Sequence, residues 1–242
     1  PMEIPFASGD QVIAISEDDD TIKLTAVTDS TFDEQSIKTA STVVVEPERT
    51  LILGWNKRAP TIIAELDNYV GTDSVVTVVS EIAGWNDSDC DLPACQNQTV
   101  TYQLGDTNDR SVLDALAVQT YDYIIVLSYS DTMEVQKADA LTLVTLLHLR
   151  QISDANNNPF SIVSEMLDTR NRQLAEAAQA DDFIISDRLI SLMLAQVAEN
   201  KRLTAVFQDL FDPEGSELYL KLASNYVELG TPVNFYTVTE SA

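Results

Sequence analysis

Apolar residues along the middle of the chain alternate between two spacings. Three stretches are nearly continuous runs of aliphatic and β-branched residues: Glu48 to Gly54, Ser74 to Val79 and Asp122 to Leu127. Runs of that length, apolar on both sides, are the signature of strands buried in a parallel sheet. Between the first two, Ile62, Ile63, Leu66 and Tyr69/Val70 recur at helical spacing. Ala59-Pro60 opens that helix and Gly71-Thr72-Asp73 closes it, because proline suits a first turn and glycine an end. Thr99 to Leu104 reads as a third strand, followed by Gly105-Asp106. Asp109 is placed to cap a short helix over Ser111 to Ala117. After the fourth strand, Asp131 opens a long helix through Arg150. Asn156 to Pro159 forms a loop, and Phe160 to Ser164 a fifth strand. Alternating strands and helices specify an α/β fold with a parallel sheet and right-handed crossovers, a Rossmann-like unit over residues 48–168.

The flanks are different. Residues 8–28 read as strand, acidic turn (Glu17 to Asp20) and strand. Too short to fold alone, they look like the last hairpin of a preceding domain, residues 1–30. Ser30 to Val44 is rich in Thr and Ser, so residues 31–47 read as a linker. Beyond residue 168 the pattern turns mostly helical: Arg172 to Ala180, a short strand Phe183 to Ile185, an amphipathic helix Arg188 to Glu199, and Leu203 to Phe211. Asp212 to Gly215 is a turn, and Val233 to Val238 a closing strand. Residues 169–242 are thus crossover helices followed by a small α+β lobe.

Charge narrows the function. Fourteen Lys+Arg against 39 Asp+Glu give a net charge of −25. Phosphate backbones and anionic membrane surfaces are poor partners for such a chain. The acids serve either a solvated surface or cation sites, and their spread along the chain favours the surface. No apolar run reaches the roughly 18 residues of a membrane-spanning helix. Cys90 and Cys95 lack the second pair of a zinc site. His148, the sole histidine, falls among Leu143, Leu146, Leu147 and Leu149, a packing position.

Candidate chemistry lies after the strands. A dinucleotide fold wants three glycines in its first turn, for tight curvature and close approach of pyrophosphate. Here the series is Gly54, Asn56, Ala59, so only the first position is glycine. Lys57 and Arg58 are placed to hold an anion at the helix start. Glu81, just past the second strand, stands where a ribose hydroxyl would be held, and Asp106 follows the third. Asp87, Asp89 and Asp91 alternate as in a calcium loop, but Leu92 and Gln98 replace the glycine and glutamate such a loop requires. No nucleophile, base and orienter constellation is present, and the chain reads as a non-enzyme. The sheet pattern alone leaves an NAD-dependent oxidoreductase as an alternative.

The run Leu51 to Pro60, Leu-Ile-Leu-Gly-Trp-Asn-Lys-Arg-Ala-Pro, with Ile62, Ile63, Glu65, Leu66, Asp67, Tyr69 and Val70, resembles the CASTOR/POLLUX-type ion channels, whose cytosolic part is built of RCK (TrkA-N-like) domains. Gly9 to Thr21 is similar to the end of an RCK C-lobe. Ile162 to Asp168, Asn171, and Asp182 to Ser186 with Leu189 to Ser191 resemble the crossover into RCK dimerisation helices. The resemblance implies a gating-ring fragment at the cytoplasmic face of the cell membrane. It would self-associate through those helices within a tetrameric ring and act on the pore domain of the same chain. The ligand would be Ca2+ or a nucleotide, with Gly54, Asn56, Lys57, Arg58, Glu81 and Asp106 as the nucleotide set. Asp87, Asp89, Asp91 and Glu165 would be the cation set. Glu165 matches a position where some RCK domains place a Ca2+-binding acid, with Leu167 where a second is expected. A stand-alone regulatory subunit of a potassium uptake transporter is a further alternative.

Overall fold

The structure, a computed structural model, describes residues 31–38, 46–82, 94–156, 160–171, 182–212, 222–230 and 232–241. The hairpin expected over 8–28, the acidic run Glu17 to Asp20, Asp87, Asp89 and Asp91, the helix expected over Arg172 to Ala180 and the turn residues 213–215 lie outside them. The chain divides into two compact units, one of Pro1–Thr42 with Leu220–Ala242 and one of Val43–Tyr219.

The larger unit is a six-stranded sheet. Its strands are β1 (Arg49–Leu53), β2 (Ser74–Ser80), β3 (Gln98–Leu104), β4 (Tyr123–Val126), β5 (Ser161–Met166) and β6 (Asp182–Ile185). All pairings are parallel, in the order β3-β2-β1-β4-β5-β6. The order reverses between β1 and β4, so the chain leaves these neighbours toward opposite sides and opens a crevice beyond their carboxyl ends. Thr50 to Leu53 are all buried, as a central strand covered on both faces must be. On one face Ile52, Val76 and Val78 pack with Ala59 and Ile63 of α1 (Ala59–Tyr69). On the other, Leu51, Leu53, Val79 and Ile124 meet Leu113 of α2 (Arg110–Ala115) and Leu146, Leu149 and Ile152 of α3 (Val135–Asn156). The unit continues into α4 (Ser186–Glu199) and α5 (Leu203–Leu210).

Two buried carboxylates tie crossovers to helices. Asp67 of α1 accepts the backbone N–H groups of Gln96, Asn97 and Gln98 at 2.6, 2.9 and 3.0 Å. That fixes where the chain re-enters β3. Asp139 of α3, fully buried, accepts from Leu167 N, Asp168 N and Asn171 Nδ2 at 2.9, 3.0 and 2.8 Å, and so anchors the exit from β5.

The expected strand and helix sequence over 48–166 is present, with Asp109 capping α2 through Ser111 N. Two elements differ from expectation. The long helix begins at Val135 rather than Asp131, because the Asp131 carboxylate turns away to accept from Lys57 N. It also outlasts Arg150, which pairs with Asp154 one turn on while Ile152 is buried in the core. The closing strand expected over Val233 to Val238 is instead α6 (Phe235–Ser241). Asn234 Oδ1 accepts from Thr237 N at 2.8 Å, an N-terminal cap that overrides the β-leaning composition.

In the smaller unit, residues 31–38, part of the segment read as a linker, are held by hydrogen bonds. Asp33 closes a 3-10 turn at Gln35 N, its own N–H donates to Thr237 Oγ1 at 3.1 Å, and Ile37 bridges Val227 antiparallel. Asp33, one of the polar residues of that segment, serves here as a cap.

Gly54 ends β1 with φ +93°, where side chains are strained, and a Cβ there would lie 2.2 Å from the Leu127 carbonyl oxygen. Gly54→Ala is expected to destabilise the unit by at least about 2 kcal/mol, strain and overlap adding. Urea denaturation followed by circular dichroism measures it; an unchanged midpoint would refute the close-approach account.

Candidate functional site

The crevice at the β1/β4 reversal gathers five of the expected ligand residues, Gly54, Asn56, Lys57, Arg58 and Glu165. Beyond Gly54 the turn is held down by Gly54 N donating to Val79 O at 2.9 Å, and by Leu127 N donating to Leu53 O at 2.8 Å. Trp55 folds under α1 and meets Tyr102 edge-to-face, ring centroids 6.1 Å apart. Past Gly54, whose positive φ the turn requires, bulky side chains rather than further glycines shape the turn.

Asn56 is 2% exposed. Its amide donates to Ser128 O at 2.7 Å and to Glu165 Oε2 at 2.8 Å, while its Oδ1 accepts from Arg58 N at 3.0 Å. Arg58 Nη2 donates to Glu165 Oε1 and to Ser130 Oγ at 3.2 Å. Ser128 N adds a bond to Glu165 Oε2 at 3.3 Å. The Glu165 side chain, 8% exposed, therefore links the ends of β1, β4 and β5. Lys57 is mostly solvated, but its backbone N–H donates to Asp131 Oδ2 at 2.5 Å and its Nζ lies 3.8 Å from Asp131 Oδ1.

The two other expected residues that are described, Glu81 and Asp106, stand apart from this network. Glu81 is exposed past β2. Asp106 is exposed past β3, where its Oδ1 accepts from Asn108 N at 2.8 Å, a local turn bond. Between these strand ends sits Tyr129, 3% exposed, its hydroxyl 3.4 Å from Thr107 Oγ1 and 3.5 Å from Glu81 N. Among the described residues no group of three or more His, Cys, Asp or Glu side chains forms a metal site.

An open cleft of about 490 Å³ remains on the β5 side, lined by Lys57, Arg58, Ser130, Asp131, Val135, Leu167, Asp168 and Thr169. Asp168 is doubly gripped by Arg170 and accepts from Gln136 Nε2 at 2.7 Å. Hydrogen bonds from the Arg170 side chain, then from its backbone N–H, hold the Asp168 carboxyl at about 2.

Sequence reasoning missed Ser128, Tyr129 and Asp131 as parts of this site. Tyr129 and Ser128 end an apolar run and look like its continuation. Asp131 carried a signal, an acid just past a strand, that a helix cap explained equally well.

No family model matches the sequence. The chain is similar to the ion channel CASTOR of Lotus japonicus, 27% identical over 267 residues that cover 95% of this chain and 31% of the channel. A probable ion channel POLLUX of Oryza sativa subsp. japonica is 25% identical over 264 residues, 95% of this chain and 27% of the relative. The chain thus spans less than a third of the length of these relatives. Among solved structures, the human SLO3 gating ring aligns with TM-score 0.50 at 13% identity, over 73% of this chain and 31% of that one, a likeness of fold. No helix among the described residues is long and apolar enough to cross a membrane.

The Asp168 shift has a sign. A carboxyl whose folded value lies below its usual 3.8 stabilises the fold above that usual value and loses the contribution as pH falls through about 2. NMR titration is expected to place Asp168 near 2, and Arg170→Gln to return it upward. A titration near 4 in the unsubstituted chain would contradict the bonded geometry.

Proposed function

We propose that this chain is a cytosolic regulatory segment of a cation channel: a gating-ring domain of RCK type that converts ligand binding into a change of ring shape. One observation carries the reading. The match to CASTOR/POLLUX channels runs through 95% of the chain, across both the Rossmann-like unit and its flanks. The fold likeness to a gating ring supports it, and relatives that are channels rather than enzymes speak for a non-catalytic role. The ligand acts by binding one ring shape more tightly than another. Ca2+ at Asp87, Asp89 and Asp91 belongs to the same proposal.

A ring requires contacts between copies, and α4 supplies a surface for them. Leu189, Ile190, Leu192 and Leu194 are 47%, 55%, 54% and 65% exposed. A short turn, in which Asn200 Oδ1 accepts from Arg202 N at 3.1 Å, leads into α5. Met193 and Val197 of α4 line an open groove with Phe207 of α5 and with Phe211 beyond it. An apolar helix face of this kind is unfavourable on an isolated monomer, and self-association through α4 and α5 covers it.

The purified chain is expected to run as a dimer in light scattering, and Leu194→Glu to run as a monomer with unchanged circular dichroism. A monomeric parent chain would remove this interface. In the complete gene product, reconstituted in vesicles, we expect potassium flux that responds to added Ca2+ and is altered by Leu194→Glu. A protein without cation flux would overturn the channel reading, whatever the oligomeric state of the isolated chain.

A further inference from the structure

We propose that the apolar cavity on the α1 side of β4, β5 and β6 is a binding site for a small neutral molecule with an apolar body of one or two rings. The inference concerns binding by this chain alone and stands whether or not the chain belongs to a channel.

The topology leaves this face of the sheet open. Helices α2 and α3 connect β3 to β4 and β4 to β5, and both pack on the opposite face, against Leu51, Ile124 and Ile162. Helix α1 connects β1 to β2 and covers Ile52 and Val76. Side chains alternate across a strand, so the same strands report on both faces. On the α3 side Ile124, Val126 and Ile162 are buried. On the α1 side their chain neighbours Ile125 and Val163 are only half-buried, and Ile184 is exposed. Ile125 pairs with Val163 and Glu165 with Ile184, so these side chains stand in adjacent rows. Ile62 of α1 and Leu127 after β4 complete the lining, around a space of about 230 Å³.

The lining sets the ligand class. An apolar cavity of about 150 Å³ stays dry and takes up benzene, so about 230 Å³ has room for a second ring. It is smaller than the roughly 300–1,000 Å³ of sites for drug-sized ligands. The charged groups in its wall, Arg58 and Glu165, are bonded to each other. A charged ligand would therefore enter without a counter-ion, and the net charge of −25 repels an anion further. Exposed Ile184 marks the open rim. Removal of aliphatic surface from water drives the binding. The occupant lies against the Glu165 carboxylate that also receives Asn56, and so touches the tie between the strand ends.

The test uses the full chain with isotope-labelled isoleucine methyl groups, titrated with indole and followed by NMR. The Ile62, Ile125 and Ile184 methyls are expected to shift together and saturate with a Kd of about 0.1–1 mM, while Ile124 and Ile162 on the opposite face move far less. Val163→Phe, which fills the cavity, is expected to weaken binding at least about tenfold, with circular dichroism reporting the fold. Should that variant not fold, Ile184→Glu at the exposed rim decides, and a weakening of about threefold is expected. Leu194→Glu is expected to leave indole binding unchanged. The absence of a saturable shift at the three methyls, or binding that survives the deciding substitution, overturns the proposal. So does indole that shifts Ile190 of α4 instead. Binding seen only in the Leu194→Glu monomer overturns it as well, because a second copy then covers the face in the parent.

Discussion

A carboxylate removed from water must be matched by donors, and Glu165 sets that condition at the one place where the sheet changes direction. The strand order reverses between β1 and β4, which leaves the backbone ends of three strands facing a gap. An uncompensated charge there would cost several kcal/mol. Asn56, Arg58 and Ser128 supply the compensation from two other strand ends. The turn after β1 is therefore obliged to press against the chain after β4. Glycine at position 54 follows from that closeness, since any side chain would overlap Leu127.

The same chemistry recurs at two other joints. Asp67, Asp139 and Glu165 are all buried, and each gathers donors contributed by another part of the chain. Acidic composition thus has two uses in one chain. Among the described residues, carboxylates such as Glu81 face solvent and contribute to the negative field around the chain. A few act as cross-ties that hold crossovers to helices, each accepting charge-assisted bonds stronger than neutral ones.

Legibility in the sequence followed the range of the interaction. Strands β1, β2 and β4 and helix α1 were readable because burial on a sheet or helix face imprints a local period. Gly54 was readable as a turn residue for the same reason. The role of Asn56 was not. Its partners, Ser128 and Glu165, stand 72 and 109 residues away, and no local pattern encodes them. Asp131 was ambiguous because a helix cap and a distant backbone contact ask for the same side chain. The terminal helix Phe235–Ser241 was misread because Val and Thr favour strands, while the deciding contribution came from the single cap at Asn234.

The Asp67 tie has a consequence for how this architecture accommodates change. Three successive N–H groups, of Gln96, Asn97 and Gln98, are locked onto α1 before β3 begins. The phase of β3 is therefore settled by its own threshold and not by what precedes it. A longer or shorter connection after β2 adds only the slowly growing entropy of loop closure and transmits no slip to the sheet.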